Sequence, residues 1–123
     1  MNYKVLVPDE AVEDIIGLVR YKRIDLCNPD ASQRTYHNLN REVKNLGDFP
    51  LKFSDSGIKY RGYIIHKKVY DSYLIFYIIN DSKQEVYVLR VIKDLMNWQG
   101  ILNQTRRISG RRYSRQHEQS DEA

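Results

Sequence analysis

The sequence predicts an α+β fold with an N-terminal strand, a helical hairpin, a three-stranded antiparallel sheet, a short C-terminal helix and a flexible tail. Apolar residues recur at helical spacing in two segments before residue 47. Three runs rich in β-branched and aromatic residues follow between residues 61 and 92, separated by hairpin-length turns. Such short connections require neighbouring strands to be antiparallel.

Length and composition indicate one moderately basic domain. The 123 residues are enough to bury roughly two-thirds of the surface that the unfolded chain exposes. Lys and Arg outnumber Asp and Glu by 20 to 16. An excess of this size leaves RNA, DNA and acidic proteins open as partners.

The composition also argues against several kinds of site. Cys27 is the single cysteine and no cysteine and histidine spacing resembles a zinc site, so we expect no internal disulfide, metal or cofactor. No apolar run approaches the roughly 20 residues of a membrane span, and carboxylates interrupt the start, MNYKVLVPDEAVED. We therefore expect a soluble cytoplasmic protein with no membrane partner.

The first predicted helix follows a short strand. Tyr3–Val7 favours a strand that Pro8 ends, and Asp9 is then placed to cap a helix. One-sided spacing of apolar residues is typical of a helix with one buried face. Here that spacing continues to a predicted end near Leu26, through Val12, Ile15, Ile16, Val19 and Leu26.

The second predicted helix has signals at both ends. Asn28, Pro29 and Asp30 are typical of an N-cap, a first-turn proline and an acid that complements the helix dipole. Gly47 is predicted as the C′ residue. The apolar face between them consists of Ala31, Thr35, Leu39, Val43 and Leu46. The two helices then form an antiparallel hairpin.

The sheet is predicted to begin after a loop. Phe49–Tyr60 contains proline, glycine and several short polar residues, which favour a connecting loop. Strands are predicted at Arg61–Val69, Tyr73–Ile79 and Glu85–Ile92. The middle run, YLIFYII, has no polar face, so we predict that it is the central strand, covered by the helices on one side and partly shielded on the other.

The C-terminal part of the chain is predicted to leave the folded domain. A short helix is predicted over Asp94–Leu102, and the domain is expected to span residues 1–103. Residues 104–123 contain RRISGRRYSR and are predicted to be weakly structured. This basic tail is either a disordered extension or an electrostatic arm for RNA, DNA or an acidic partner.

Six short motifs occur in order over about residues 3 to 102: YKVLVPDEAVEDI, NPDA, LGDFP, YLIFYII, VYVLRVIKD and W-x-x-I-L at Trp98 to Leu102. With the predicted order of elements, they resemble the RelE/ParE superfamily, the toxin halves of type II toxin–antitoxin modules and plasmid stabilisation systems. The resemblance implies a small growth-inhibiting toxin, held inactive by a cognate antitoxin whose extended, partly helical segment wraps around it.

The resemblance implies one of two activities. RelE-like members cut messenger RNA on the ribosome, using basic and acid–base residues on the concave sheet, whereas ParE-like members inhibit DNA gyrase and perform no chemistry. The hypotheses are therefore a ribosome-dependent endoribonuclease, a gyrase inhibitor, and an inactive relative that only binds an antitoxin. Nucleases of the family often carry arginine at the position of Leu74, and Leu95–Asn97 departs from both groups.

Arg90 is the sharpest candidate for chemistry. Strand alternation predicts that it shares an otherwise apolar face with Val88 and Ile92. A charge there requires a partner, which is either a phosphate or antitoxin carboxylate held by the guanidinium fork, or an internal acid. The candidate internal acids are Asp14, Glu42 and Asp94.

The other candidate catalytic residues belong to the first long strand. Alternation places Arg61 and Lys67 on one face and His66 and Lys68 on the other, so they form one site only if a bulge intervenes. His66 has the intrinsic pKa for acid–base work in RNA cleavage. The alternative is a solvated, lysine-rich sheet edge.

Five further residues are candidate contacts for nucleic acid or a partner protein. Tyrosines in the sheet suit stacking on exposed bases when basic groups lie beside them, but they equally suit packing. Composition does not separate these alternatives. The candidates are Lys59, Tyr63, Tyr73, Lys93 and Trp98.

Overall fold

A computed structural model of the chain describes residues 2–94 and 97–104. A π-helical turn, Tyr21–Asp25, extends the first helix, and 3₁₀ turns at Asn45–Gly47 and Pro50–Lys52 follow the second. The helices are α1 (Asp9–Arg20), α2 (Pro29–Lys44) and α3 (98–104). The strands are β1 (Lys4–Leu6), β2 (Ser54–Tyr60), β3 (Tyr63–Tyr70), β4 (Tyr73–Asn80) and β5 (Glu85–Lys93).

The strands form one sheet in the order β1-β5-β4-β3-β2. β1 lies parallel to β5, and all other neighbours are antiparallel. The predicted α+β class and the central position of β4 are confirmed. The sheet has five strands rather than three, because the N-terminal strand joins it at one edge and β2 joins it at the other.

The prediction of a loop over Phe49–Tyr60 is wrong for its second half. Ser54–Tyr60 pairs with β3, but the register shifts between Asp55 and Lys59. The Gly57 N–H donates to Asp55 Oδ1 at 2.7 Å, and Gly57 adopts a φ of 86° that glycine accommodates readily. This irregularity and the polar, exposed edge position hide the alternation by which a strand is normally predicted.

Helix α1 buries only part of the predicted stripe, because Ile15 and Val19 join the core as predicted but other members do not. Ala11 and Ile15 are buried against the sheet, with Leu18 and Val19 packed beside them, whereas Val12 and Ile16 remain exposed. The small side chain of Ala11 therefore takes the position facing the sheet that the larger Val12 was predicted to occupy. Asp9 lies in the first turn, after Pro8 at the N-cap position, and makes no side-chain cap.

Helix α2 agrees with its prediction at the N-terminus and along its buried face. Asn28 Oδ1 accepts a hydrogen bond from the Ala31 N–H at 3.1 Å, and Pro29 is the first helical residue. Gly47 has a different role from the predicted left-handed C′ residue, since it belongs to a 3₁₀ turn and its φ is not positive. Its carbonyl accepts a hydrogen bond from the Tyr3 N–H at 2.8 Å. The close approach to β1 is what favours glycine there.

The two faces of the sheet are covered by different helices. The hairpin face packs against α1 and α2 with residues that include Tyr73, Ile75, Tyr77, Val86, Val88 and Val91. The α3 face carries Ile65, Leu74, Phe76, Ile78 and Ile92, packed with Trp98 and Leu102. Seven consecutive residues of β4 are buried, so the central strand is enclosed on both sides.

The C-terminal helix begins later than predicted, at residue 98, and continues to residue 104. The basic tail was predicted for residues 104–123, and all of it after residue 104 lies outside the described residues. Leu95 and Met96 lie outside them as well. Within the described ranges, none of the helices combines the length and apolar character that a membrane crossing requires.

Candidate functional site

A β-bulge changes the environment of Arg90. Val88 pairs with Tyr77 and Arg90 pairs with Phe76, so Leu89 is an extra residue in β5. Val88 therefore packs on the hairpin face and Ile92 packs on the α3 face. The prediction that these two residues share a face with Arg90 is wrong, because simple alternation does not hold across an inserted residue.

Arg90 binds two carboxylates of α1. Its Nε and Nη2 donate to the two oxygens of Asp14 at 2.7 Å and 2.9 Å, and its Nη1 lies 3.4 Å from Glu10 Oε1. The Val91 N–H also donates to Asp14 Oδ2, at 3.0 Å. The hydrogen bonds with Asp14 raise the pKa of Arg90. The internal ion pair expected as one alternative is thus present, and it attaches α1 to β5.

His66 and Lys68 lie on the hairpin face, as alternation predicts. His66 is buried, its ring is stacked on Tyr77 at 5.3 Å, and its Nδ1 lies 3.0 Å from the Phe53 carbonyl oxygen. Because a carbonyl oxygen only accepts, this contact requires a proton on Nδ1. The Tyr77 hydroxyl donates to the Pro50 carbonyl, and burial raises the pKa of Tyr77. These contacts hold the segment before β2 against the sheet.

Lys68 connects β3 with the end of α2. It is buried, and its Nζ donates to the Glu42 carbonyl at 3.0 Å and lies 3.3 Å from Glu42 Oε1. The ammonium also lies 4.9 Å from the centroid of the Phe53 ring. A cation at the C-terminal turn of a helix binds carbonyls that have no intrahelical partner. The contacts of Lys68 are those of a helix-capping residue.

The remaining basic and aromatic candidates of this region lie away from His66 and Lys68. Lys67 points to the α3 face, where its Nζ lies 4.7 Å from the centroid of the Trp98 ring. Arg61 lies in the turn between β2 and β3, with a φ of 52°, so its predicted place within a strand is wrong. Lys59 and Tyr63 are exposed near the same turn. The turn sequence Arg61-Gly62 shortens β3 at its start.

The five candidate catalytic residues therefore fall into three regions. Arg90 lies between α1 and β5, whereas His66 and Lys68 lie beneath α2 and the segment that precedes β2. Lys67 faces α3, and Arg61 lies at an exposed turn. The sheet separates Lys67 from His66 and Lys68, in agreement with the alternation argument.

The candidate contacts for a partner also lie on different faces of the sheet. Trp98 stacks on Phe76 with ring centroids 5.5 Å apart, which is a packing role on the α3 face. Tyr73 is buried on the hairpin face, and Lys93 Nζ lies 5.8 Å from its ring centroid. Lys22 was not predicted from the sequence, and its Nζ lies 5.4 Å from the same centroid. Nothing in the local pattern indicated that the connection between the helices would return to the sheet.

Within the described residues, no group of three or more His, Cys, Asp or Glu side chains is arranged to hold a metal ion. The described part of the chain instead presents basic groups that contact carboxylates, carbonyls and aromatic rings.

The helical hairpin on one face of a five-stranded sheet, with β1 parallel to β5, is the RelE/ParE fold. The chain belongs to the family described as the ParE toxin of the type II toxin–antitoxin system, parDE, whose model matches residues 5–98. The resemblance inferred from the sequence motifs is thereby confirmed. No curated protein matches the sequence at a significant level.

Three solved structures have the same fold at low sequence identity. The chromosomal ParDE system of P. aeruginosa has a TM-score of 0.61 at 12% identity, over 74% of this chain and 95% of that chain. An archaeal RelE–RelB complex from Pyrococcus horikoshii has a TM-score of 0.54 at 17% identity, over 77% and 98%. The RelBE2 toxin–antitoxin complex of Mycobacterium tuberculosis has a TM-score of 0.52 at 19% identity, over 76% and 92%.

Proposed function

We propose that this chain is the growth-inhibiting toxin of a type II toxin–antitoxin module and that it acts by binding DNA gyrase rather than by cutting messenger RNA. The observation that carries the proposal is the dispersal of the candidate acid–base groups. Arg90 is engaged by Asp14, and His66 and Lys68 are buried in contacts that hold the helices and the segment before β2. RNA cleavage requires such groups to converge around one phosphate.

The α3 face supports the same proposal. Leu74 occupies the position where family nucleases often carry arginine, and it is buried beside Phe76. The face is filled by apolar side chains and covered by Trp98 and Leu102. Of the five candidate catalytic residues, only Lys67 is directed toward this face, and its ammonium lies against the Trp98 ring. An apolar, covered face does not suit a phosphate undergoing transesterification.

Two assays on the purified full chain test the proposed target. We expect loss of supercoiling by gyrase at toxin concentrations comparable to that of the enzyme, and no cleavage of messenger RNA on programmed ribosomes. Lys67→Ala, which removes the one candidate base on the α3 face, is expected to leave gyrase inhibition unchanged.

Messenger cleavage that Lys67→Ala abolishes would replace the gyrase proposal with the endoribonuclease hypothesis. Induction in cells provides an independent measurement. Stalled replication with DNA damage agrees with the proposal, rapid arrest of translation contradicts it, and unimpaired growth without antitoxin indicates the inactive relative.

We propose that the antitoxin binds the exposed apolar stripe of α1. Val12 and Ile16 are 38% and 44% exposed and stand one helical turn apart. Ile24, within the π-helical turn, and Leu26, directly after it, are also more than half exposed. Contiguous exposed apolar side chains are typical of protein interaction sites, and an extended or helical segment can bury them along a helix.

The double variant Val12→Asp/Ile16→Asp is expected to weaken antitoxin binding about 100-fold, since each change places a charge in a desolvated contact. Calorimetry with the antitoxin that restores growth measures the affinity. Gln33→Asp/Asn40→Asp, on exposed positions of α2, is the matched control because it adds the same two charges. Equal affinity for both double variants would contradict the assignment to α1.

A further inference from the structure

Two lysines converge on Tyr73 at one end of the hairpin face. Lys93 is the cross-strand partner of Tyr73, so both side chains leave the sheet on the same face. Lys22 approaches from the π-helical turn between the helices. The two ammonium groups lie 5.8 Å and 5.4 Å from the centroid of the Tyr73 ring.

Neither ammonium is neutralised within the part of the chain that the structure describes. Lys22 Nζ donates to Thr35 Oγ1 at 2.8 Å, which uses one of its three N–H groups. Lys93 has no hydrogen bond from its ammonium there, and the ion pairs of the described residues include neither lysine. Two cations around one ring repel each other, and a tyrosine face offsets only part of that repulsion.

The hydroxyl of Tyr73 completes the group. Tyr73 is only 2% exposed, and its hydroxyl has no hydrogen-bond partner among residues 2–94 and 97–104. Among the described residues no fully buried side-chain nitrogen or oxygen lacks a hydrogen-bond partner, so the unpaired Tyr73 oxygen lies at the margin of the protein surface. A hydroxyl donor on a ring whose centroid lies 5.4 Å and 5.8 Å from two ammonium groups is suited to an oxyanion.

We propose that Lys22, Lys93 and the Tyr73 hydroxyl form a binding site for a phosphate group. A phosphate carries enough charge and enough acceptor oxygens to bind all three donors, whereas one ammonium suffices for a carboxylate. The phosphate belongs either to a free phosphate compound or to a nucleic-acid backbone. The site is on the hairpin face of the sheet, opposite the α3 face. The proposal of a phosphate site does not depend on whether gyrase is the target.

Titration of the isotope-labelled full chain, followed by the backbone amide signals in NMR, tests the site. The probes are pyrophosphate for a free phosphate and a single-stranded thymidine pentanucleotide for a backbone phosphate, at constant ionic strength. We expect the Lys22, Tyr73 and Lys93 amides to shift together with at least one probe. Binding of pyrophosphate assigns a free phosphate ligand, and binding of the pentanucleotide alone assigns a backbone phosphate.

Variants separate a built site from general attraction to a basic protein. Lys22→Ala/Lys93→Ala is expected to weaken binding about tenfold or more, and Tyr73→Phe about threefold, because each removes donors. Lys4→Ala/Lys83→Ala removes two exposed charges elsewhere and is expected to leave the affinity unchanged. The circular dichroism spectrum of each variant shows that it is folded.

Three results would overturn the phosphate site. The first is the absence of shifts at these three residues with both probes. The second is unchanged affinity in Lys22→Ala/Lys93→Ala. The third is an equal response to acetate, which would indicate that any small anion suffices.

Discussion

Asp14→Ala lowers the free energy of unfolding by about 2 to 3 kcal/mol, because it leaves the Arg90 guanidinium without its bidentate partner. The Arg90 and Asp14 side chains are 21% and 13% exposed, so solvent replaces the lost contacts only in part. The Val91 N–H loses its acceptor as well. Urea denaturation followed by circular dichroism measures the change.

Glu10→Ala is the matched control for this prediction. Glu10 contacts the same guanidinium at 3.4 Å but is 31% exposed, so its loss is expected to cost about 0.5 kcal/mol. Arg90→Met combined with Asp14→Ala is expected to cost less than the sum of the single changes, with a coupling energy of about 2 kcal/mol. Equal costs for Asp14→Ala and Glu10→Ala would show that the ion pair does not attach α1 to β5.

Gly47→Ala is expected to destabilise the fold by about 3 kcal/mol. A Cβ at this position would lie 2.5 Å from the Tyr3 carbonyl oxygen and 3.2 Å from a methyl group of Val5. The nearer contact is with backbone, so the chain at the start of β1 must move away, and the hydrogen bond from the Tyr3 N–H to the Gly47 carbonyl weakens. Thermal and urea denaturation measure the loss.

Gly17→Ala provides a control with the opposite sign. Gly17 lies inside α1, and a Cβ there has no neighbour within 4 Å, so alanine is expected to stabilise the helix by about 0.5 to 1 kcal/mol. If Gly47→Ala is as stable as Gly17→Ala, the close approach of β1 to the end of α2 does not constrain the fold.

Much of the architecture was predictable because its signals are local. Asn28 and Pro29 start α2 through contacts within a single turn. The uninterrupted apolar run of β4 indicates burial on both faces whatever the neighbouring elements are. Strand alternation also separated His66 and Lys68 from Lys67 correctly, because no bulge interrupts that part of the pairing between β3 and β4.

The missed features share a different cause. Ser54–Tyr60 becomes a strand because β3 offers a pairing edge, and its sequence alone is that of a loop. The inserted Leu89 changes the face of every residue after it in β5, since the side-chain period of a strand is two. Ala11 rather than Val12 faces the sheet, because the docking of α1 on the sheet and not the size of its side chains decides which stripe is buried.

The sequence by itself determined the family, the α+β class and the types of charged group available. Only the tertiary structure decided which charges neutralise each other, because Arg90 and Asp14 are 76 positions apart and meet only when α1 packs on β5. The same packing brings Lys22 to Tyr73 and Lys93. Electrostatic function depends on distances across the fold, and a linear pattern does not contain them.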